Sequence, residues 1–287
     1  MRYEVPESLE EAVALLSRAG SGACVLAGGT DLLVQLRSEA IAPDLIVDIK
    51  AIAEVRQIVF TGGCFRIGAA VSGAELGEHP TLRKAWPGVV EATELIGSTQ
   101  IQGRATLGGN LCNASPAADS AVALVAAGAV ASVVGPDGHR EVPAEDVGVG
   151  PGQTSLEKGE IVVSLTLPAR PRYSGDAYLR FTPRTEMDIA VVGAGVNVTL
   201  DEAGRCAEAR VALGAVAERI LLAREAADAL VGTSLDAAAL ERLSATASAA
   251  CRPIDDKRGT RAFRLSVAGV LARRAAKTAL ERARGPR

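Results

Sequence analysis

Apolar residues recur at Leu9, Ala12, Val13 and Leu16, the spacing of one helix face, with Ser8 and Glu11 as a capping box before them and Gly20 as a stop. The pattern then shortens. A run over residues 23–27 predicts a strand, followed by a glycine turn, a short helix from Leu32 and a strand in DLIVDIK, so that residues 1 to about 52 read as a small α/β unit. In VRQIVFTGGCFRIGAAV two strand-like runs flank a turn at 61–63, a hairpin; Ser72 and Glu75 cap the helix after it, and a second helix is predicted to run to about Ile96. An alanine-rich helix, a strand at 129–134, a Pro-Asp-Gly turn and a strand at 161–167 follow. The segment PARPRYSG, 168–175, reads as a linker. Beyond it, strands in DIAVVGAGVNVTL and AEARVALGAV, joined by DEAGR, give way to helices, so the fold class is α+β.

Composition narrows the function. A chain of 287 residues with 48% hydrophobic side chains can bury a substantial core and has the length of two or three domains. Its 31 basic and 34 acidic residues leave a net charge of −3, and only 3% of residues are aromatic, which argues against nucleic-acid binding. The charge is uneven: residues 252–287 carry 11 basic and 3 acidic side chains, net +8, leaving −11 for the rest. The plain reading of that tail is a solvated helix face; the functional one is a patch that docks on an acidic partner. Cys24, Cys64, Cys112, Cys206 and Cys251 lie at least 40 residues apart, unlike the close pairs that ligate zinc or iron–sulfur clusters, so no metal site is expected on this chain. The odd cysteine count without a signal peptide fits the cytoplasm. The longest charge-free apolar stretch, 121–134, is too short to span a bilayer.

Two glycine-rich stretches carry the candidate chemistry. Gly28-Gly29-Thr30 falls where a strand gives way to a helix, so its N–H groups can converge on an anion without a lysine. Thr106, Gly108, Gly109 and Asn110 are expected to form a second such turn, in which glycines allow close backbone approach and positive φ. Two backbone nests suit a diphosphate. Neither stretch is a GxGxxG or GxxxxGK[ST] motif, so a Rossmann or P-loop site is not supported, and either Gly-Gly pair alone would be ordinary loop punctuation.

Together they say more. AGGTDL, eighty residues before LGGN, and NASPAAD after it closely resemble the FAD-binding (medium) subunit of molybdenum hydroxylases, a family that includes carbon monoxide dehydrogenase and xanthine dehydrogenase. The resemblance runs from YEVPESLEEAVALL through YLRFTPRTEMDIAVVGAGVNV to DDKRGTRAFR. It implies a two-part FAD-binding unit of the vanillyl-alcohol-oxidase type, residues 1–55 and 56–172, and a C-terminal α+β domain, 173–287. It also implies noncovalent FAD as the only cofactor here. The molybdenum cofactor and two [2Fe-2S] clusters would sit on a large and a small partner subunit, in a dimer of heterotrimers. By position, Val25, Leu26, Ala27, Gly28, Gly29, Thr30, Asp31 and Leu32, with Thr106, Leu107, Gly108, Gly109 and Asn110, resemble the loops around the FAD diphosphate and ribityl chain. Ile96 and Val162 resemble apolar flavin contacts, Asp119 an acceptor for cofactor hydroxyls, and Arg180 stands where many relatives have lysine. Arg184 and Asp188 resemble a stretch beside the flavin ring.

Several residues also have plainer readings. Asp31 would repel a phosphate and is expected to cap the helix from Leu32; Arg180 can be a surface ion pair; His79 and His139 read as surface residues; Cys112 reads as a packing residue. The resemblance implies an electron path from molybdenum through the clusters to FAD, which explains the lack of a catalytic triad or acid–base pair. The alternatives are a stand-alone FAD-dependent oxidoreductase, which would need its own acid–base residues, and a non-catalytic scaffold subunit.

Overall fold

The computed structural model describes residues 1–19 and 22–285, so the expected helix stop at Gly20 lies outside the described residues. The first sheet is parallel, with β1 (Arg2–Glu4), β2 (Ala23–Leu26) and β3 (Leu45–Asp48) in the order β1-β3-β2. Helices α1 (Leu9–Ala19) and α2 (Leu32–Arg37) make the connections. Ser8 Oγ accepts from the Glu11 N–H, and the Glu11 carboxylate reaches Glu7 N–H, so the expected box closes one residue early. Ala12 and Leu16 on one face of α1 pack with Leu45, Val47, Ile49 and Ile161.

The second sheet is antiparallel. The predicted hairpin is β4 (Ile58–Thr61) and β5 (Cys64–Gly68); β6 (Val130–Gly135), β7 (Gly138–Pro143) and β10 (Ile161–Leu167) complete the order β4-β5-β10-β6-β7. β8 (Gly148–Gly150) and β9 (Gln153–Thr154) form a small pair after α9 (Ala144–Val147). The helix expected after Ser72 is α3 (Gly73–Glu78), and the second, expected to reach Ile96, is divided in two, α4 (Pro80–Ala85) and α5 (Pro87–Glu94), because each proline lacks the N–H that continuity requires. α6 (Thr99–Gln102) and α7 (Leu107–Cys112) lead to α8 (Asp119–Ala127), whose nine residues are all buried. Residues so enclosed show little periodicity, and α8 packs between α5 and the third sheet.

That third sheet has the order β11-β12-β13-β14: β11 (Ser174–Phe181), β12 (Val192–Leu200), β13 (Cys206–Gly214) and β14 (Leu221–Leu222). α10 (Arg224–Asp228), α11 (Ala237–Ala250) and α12 (Arg261–Arg284) cover it, with Ala268, Ala272, Ala275, Ala276 and Ala279 fully buried. The expected linker is in fact held at both ends. Arg170 lies over the Trp86 ring, 4.2 Å from its centroid, and pairs with buried Asp176 at 2.9 Å, while β11 already begins at Ser174.

Candidate functional site

β2 ends at Leu26, and the chain leaves the carboxyl end of a parallel strand, where α/β sheets commonly bind ligands. Lys50 anchors that exit: its Nζ donates to Ala27 O at 3.1 Å and to Asp48 Oδ1 at 2.6 Å, while the Tyr3 hydroxyl donates to Asp48 Oδ2 at 2.5 Å. Gly29 has φ +81°, a left-handed conformation that side chains resist. A Cβ on Gly28 would stand 2.1 Å from Arg104 O, so this glycine lets the first loop abut the backbone just ahead of the second. Among the described residues the N–H groups of Gly28, Gly29, Thr30 and Asp31 donate to no protein acceptor.

The second stretch is a helix rather than the expected free turn. Thr106 is the N-cap of α7, its Oγ1 accepting from Gly109 N–H at 3.0 Å, and neither Gly108 nor Gly109 has positive φ. Gly108 is needed for a different reason: a Cβ there would lie 2.6 Å from Ala69 Cβ and 2.7 Å from Ala69 O. The N–H of Gly108, in the first turn of α7, has no protein acceptor among the described residues. Ser120 Oγ donates to Asn110 Oδ1 at 2.7 Å and thereby orients the Asn110 amide. Gln35 Nε2 donates to Asn113 Oδ1 at 3.3 Å and ties α2 to the end of α7.

Between these loops lies a cleft of about 420 Å³. Val25, Ala27, Gly28, Gly29, Thr30, Asp31 and Leu32 line it from one side, Thr106, Gly108, Gly109 and Asn110 from the other, with Ile96 and Val162. Leu26 and Leu107 do not line it; both are core side chains. Asp31 does not cap α2, for its backbone is αR and its side chain bonds to no helix N–H. Partial burial raises its carboxyl above the usual range. Its acidic counterpart in the wall is Glu160, held below the usual range by Arg140, which it meets at 2.6 and 2.7 Å. Cys112 also lines the cleft, its thiol pushed up to about 12 by burial.

Asp119 and Arg180 lie outside the cleft lining and meet each other. The Arg180 Nη1 to Asp119 Oδ2 distance is 2.7 Å, with side chains 7% and 9% exposed, so this is a buried pair and not a surface one. The Tyr178 hydroxyl donates to Asp119 Oδ1 at 2.6 Å, which leaves both carboxylate oxygens engaged by protein. Burial pushes the Asp119 carboxyl up, against the pull of Arg180 and Tyr178. Tyr178 and Arg180 are two apart on β11 and therefore share a face; that spacing, with an aspartate opening a buried helix, is the signal by which Tyr178 could have been found. Arg184 and Arg258 both approach Asp188 at 3.6 Å, bracing the loop after β11, where Met187 has φ +53°. His139 is exposed as expected, but half-buried His79 caps α4, its Nδ1 accepting from Leu82 N–H at 3.1 Å.

The basic tail is largely spent within the molecule. Arg264 is 4% exposed and donates to Val191 O, Ala215 O and Asp256. Arg282 clasps Glu91, and Arg273 approaches Glu241 at 3.4 Å. Among the described residues no group of three or more His, Cys, Asp or Glu is placed to hold a metal ion, and no helix is long and apolar enough to cross a membrane.

A glycine-lined cleft thus lies beside a parallel α/β lobe and an antiparallel lobe. Comparisons with known proteins assign the family. Residues 1–170 match the FAD binding domain of molybdopterin dehydrogenases, and residues 177–279 match the CO dehydrogenase flavoprotein C-terminal domain. The carbon monoxide dehydrogenase medium chain of Afipia carboxidovorans is 35% identical over 282 residues, 98% of this chain and 97% of that one. A putative xanthine dehydrogenase FAD-binding subunit of Escherichia coli is 32% identical over 285 residues, 99% and 97% of the two chains. The structure superposes on reconstituted CO dehydrogenase from Oligotropha carboxidovorans with a TM-score of 0.94 at 34% identity, covering 98% of each chain. On quinoline 2-oxidoreductase from Pseudomonas putida the TM-score is 0.90 at 30% identity, covering 99% and 98%. The chain belongs to the FAD-binding subunits of the molybdenum hydroxylase family.

Proposed function

We propose that this chain is the electron-exit subunit of a molybdenum hydroxylase assembly. It receives electrons from two [2Fe-2S] clusters on a small partner subunit, themselves fed by a molybdenum cofactor on a large one, and delivers them to an external acceptor. The assembly is a dimer of heterotrimers in the cytoplasm, a placement that suits five free cysteines. FAD, when bound, supplies a group that takes up electrons singly and releases them in pairs.

The observation that carries this reading is the cleft between the run of unengaged backbone N–H groups at Gly28 to Asp31 and the start of α7, where the Gly108 N–H is unengaged. A diphosphate fits such donors, since each N–H points partial positive charge at an oxygen and needs no cationic side chain. Lys50 and Ser120 position the cradle through Ala27 and Asn110. Ile96 and Val162 supply apolar contact to the ring system, and the Asp119–Arg180 pair, outside the cleft lining, ties α8 to β11. The titratable residues in the cleft lining are Cys24, Asp31, Cys112 and Glu160, a poor set for acid–base chemistry but sufficient for holding an electron carrier. This favours the subunit reading over a stand-alone oxidase.

Thr30→Asp tests the placement, because it puts a second carboxylate in the first loop, whereas Thr61→Asp on the exposed hairpin serves as control. FAD affinity should fall at least about tenfold in the first variant only. Equal flavin occupancy in both would remove the diphosphate from this cleft. In the assembled complex, omission of the small subunit should leave the flavin oxidised when substrate is added.

A further inference from the structure

One wall of the flavin cleft is a single chain thick. Between β9 and β10, residues 155–160 belong to no helix or strand. Thr154, Leu156 and Glu160 line the cleft, while Gln153, Glu157 and Lys158 of the same stretch are exposed to solvent. A segment outside the sheet ladders must be held by other bonds, and here they converge on one arginine.

Arg140 sits on β7, the edge strand, and reaches past β6 to the residue ahead of β10. Its Nε donates to Glu160 Oε1 at 2.6 Å and its Nη2 to Glu160 Oε2 at 2.7 Å, and the same Nη2 donates to Ser155 O at 3.1 Å. One guanidinium therefore grips the first and the last residue of the segment. Glu160 adds bonds of its own, its Oε2 accepting from Glu157 N–H at 2.6 Å and its N–H donating to Glu157 O at 3.0 Å. The other attachments are few: Ser155 N–H donates to Val147 O at 2.8 Å, and Gly159, with φ +87°, lies where a Cβ would stand 2.4 Å from Ser17 Oγ. The grip depends on a planar fork of donors, which a lysine ammonium carries the charge of but not the geometry.

We propose that Arg140 is a positioning residue for the flavin cofactor, the clamp that keeps the 155–160 segment closed against the cleft. It lies outside the cleft lining and so acts through Glu160 and Ser155. This rests on FAD occupying the cleft between the two glycine stretches. Without the clamp the segment keeps its attachments at Ser155 N–H and around Gly159 but loses the bonds that fix Glu160 and the Ser155 carbonyl, so the cofactor both enters and leaves more readily. Loss of a direct contact would raise the release rate alone; a loosened wall raises both rates.

FAD association and release are followed by stopped-flow flavin fluorescence on the full chain. The wild type is compared with Arg140→Met, Arg140→Lys and Arg273→Met, the last of which breaks the pair with Glu241 between α11 and α12. Arg140→Met should release FAD about tenfold faster and also bind it faster, and Arg140→Lys should release it at least about threefold faster, because it cannot hold Glu160 and Ser155 O at once. Arg273→Met should match the wild type. If the methionine variant fails to fold, the lysine variant decides. Release at the wild-type rate in the Arg140 variants overturns the proposal, as does faster release with an unchanged association rate, or an equal acceleration in Arg273→Met. Thr30→Asp, run alongside, separates the two readings: if it weakens FAD while the Arg140 variants behave as wild type, only the clamp fails, and if none of them changes FAD binding, the cleft assignment fails with it.

Discussion

Arg180→Met isolates the energetics of the buried pair that joins α8 to β11. It removes the guanidinium 2.7 Å from Asp119 but keeps most of the side-chain volume, leaving a carboxylate whose side chain is 9% exposed with only the Tyr178 hydroxyl as partner. Breaking a buried pair in this way costs about 3–5 kcal/mol, and because both groups are almost wholly shielded, solvent screening does not reduce the figure much. For a unit of this size that is a fall of roughly 10 °C in the unfolding midpoint. The loss should depend on pH. Burial already raises the Asp119 carboxyl, and removing Arg180 takes away a positive charge that lowers it. A carboxyl whose folded value lies above its unfolded one binds protons more tightly when folded, so stability declines as pH rises through that window. The deficit should therefore be largest at pH 8 and shrink toward pH 5. In the double variant Asp119→Asn/Arg180→Met the buried charge is gone and the introduced amide oxygen still accepts from the Tyr178 hydroxyl, so most of the stability should return. The assay is thermal unfolding of the wild type, Arg180→Met, Asp119→Asn and the double variant at both pH values, followed by flavin release and by circular dichroism. Additive single-variant losses, or a deficit that grows as the pH falls, would refute the reasoning.

Three further outcomes are expected. Gly108→Ala should destabilise by about 1–3 kcal/mol through overpacking against Ala69, whereas Gly109→Ala, whose Cβ meets only Thr106 Oγ1 at 2.8 Å, should disturb the N-cap and cost less; equal unfolding midpoints would contradict this. Ser72→Ala removes the hydroxyl half of the capping box of α3, the Oγ that accepts from Glu75 N–H at 3.3 Å and donates to the Glu75 carboxylate at 2.7 Å, and should cost about 1 kcal/mol in denaturant titration. With thiols raised to about 12, Cys112 and Cys251 should resist iodoacetamide in the native protein at pH 7.5, read by peptide mass mapping; rapid labelling of either would show that its burial is misjudged.

Both glycine stretches were legible because a loop that approaches other backbone needs residues without Cβ, and Gly28 does abut Arg104 O. What the stretches do locally was less legible. LGGNLC reads as a turn by composition, yet Thr106 supplies a cap and tertiary contact with Ala69 makes the helix, an override of weak glycine propensity by packing. Asp31 preceded a helix and so read as a cap, but its αR backbone directs it otherwise. Only Ser174 and Gly175 of β11 fall in the supposed linker; the rest of the strand went unassigned because YLRF alternates for contacts far away in sequence, Tyr178 and Arg180 both serving Asp119. Charge alone left the basic tail as a solvated face or a docking patch; the pairing of four of its arginines with Asp188, Asp256, Glu241 and Glu91 could not be read from it.

The clasp on Glu91 also bears on the order in which the molecule is made. Arg282 donates to both carboxylate oxygens of Glu91 and, at 2.8 Å, to Asp176 O, while Arg170 holds the Asp176 carboxylate beneath Trp86. During synthesis the whole flavin-binding lobe leaves the ribosome while Glu91 still faces water, because its partner lies 191 residues downstream. The lobe can therefore fold on a nascent chain before Arg282 exists, and the clasp on Glu91 is among the last contacts between the two lobes to form.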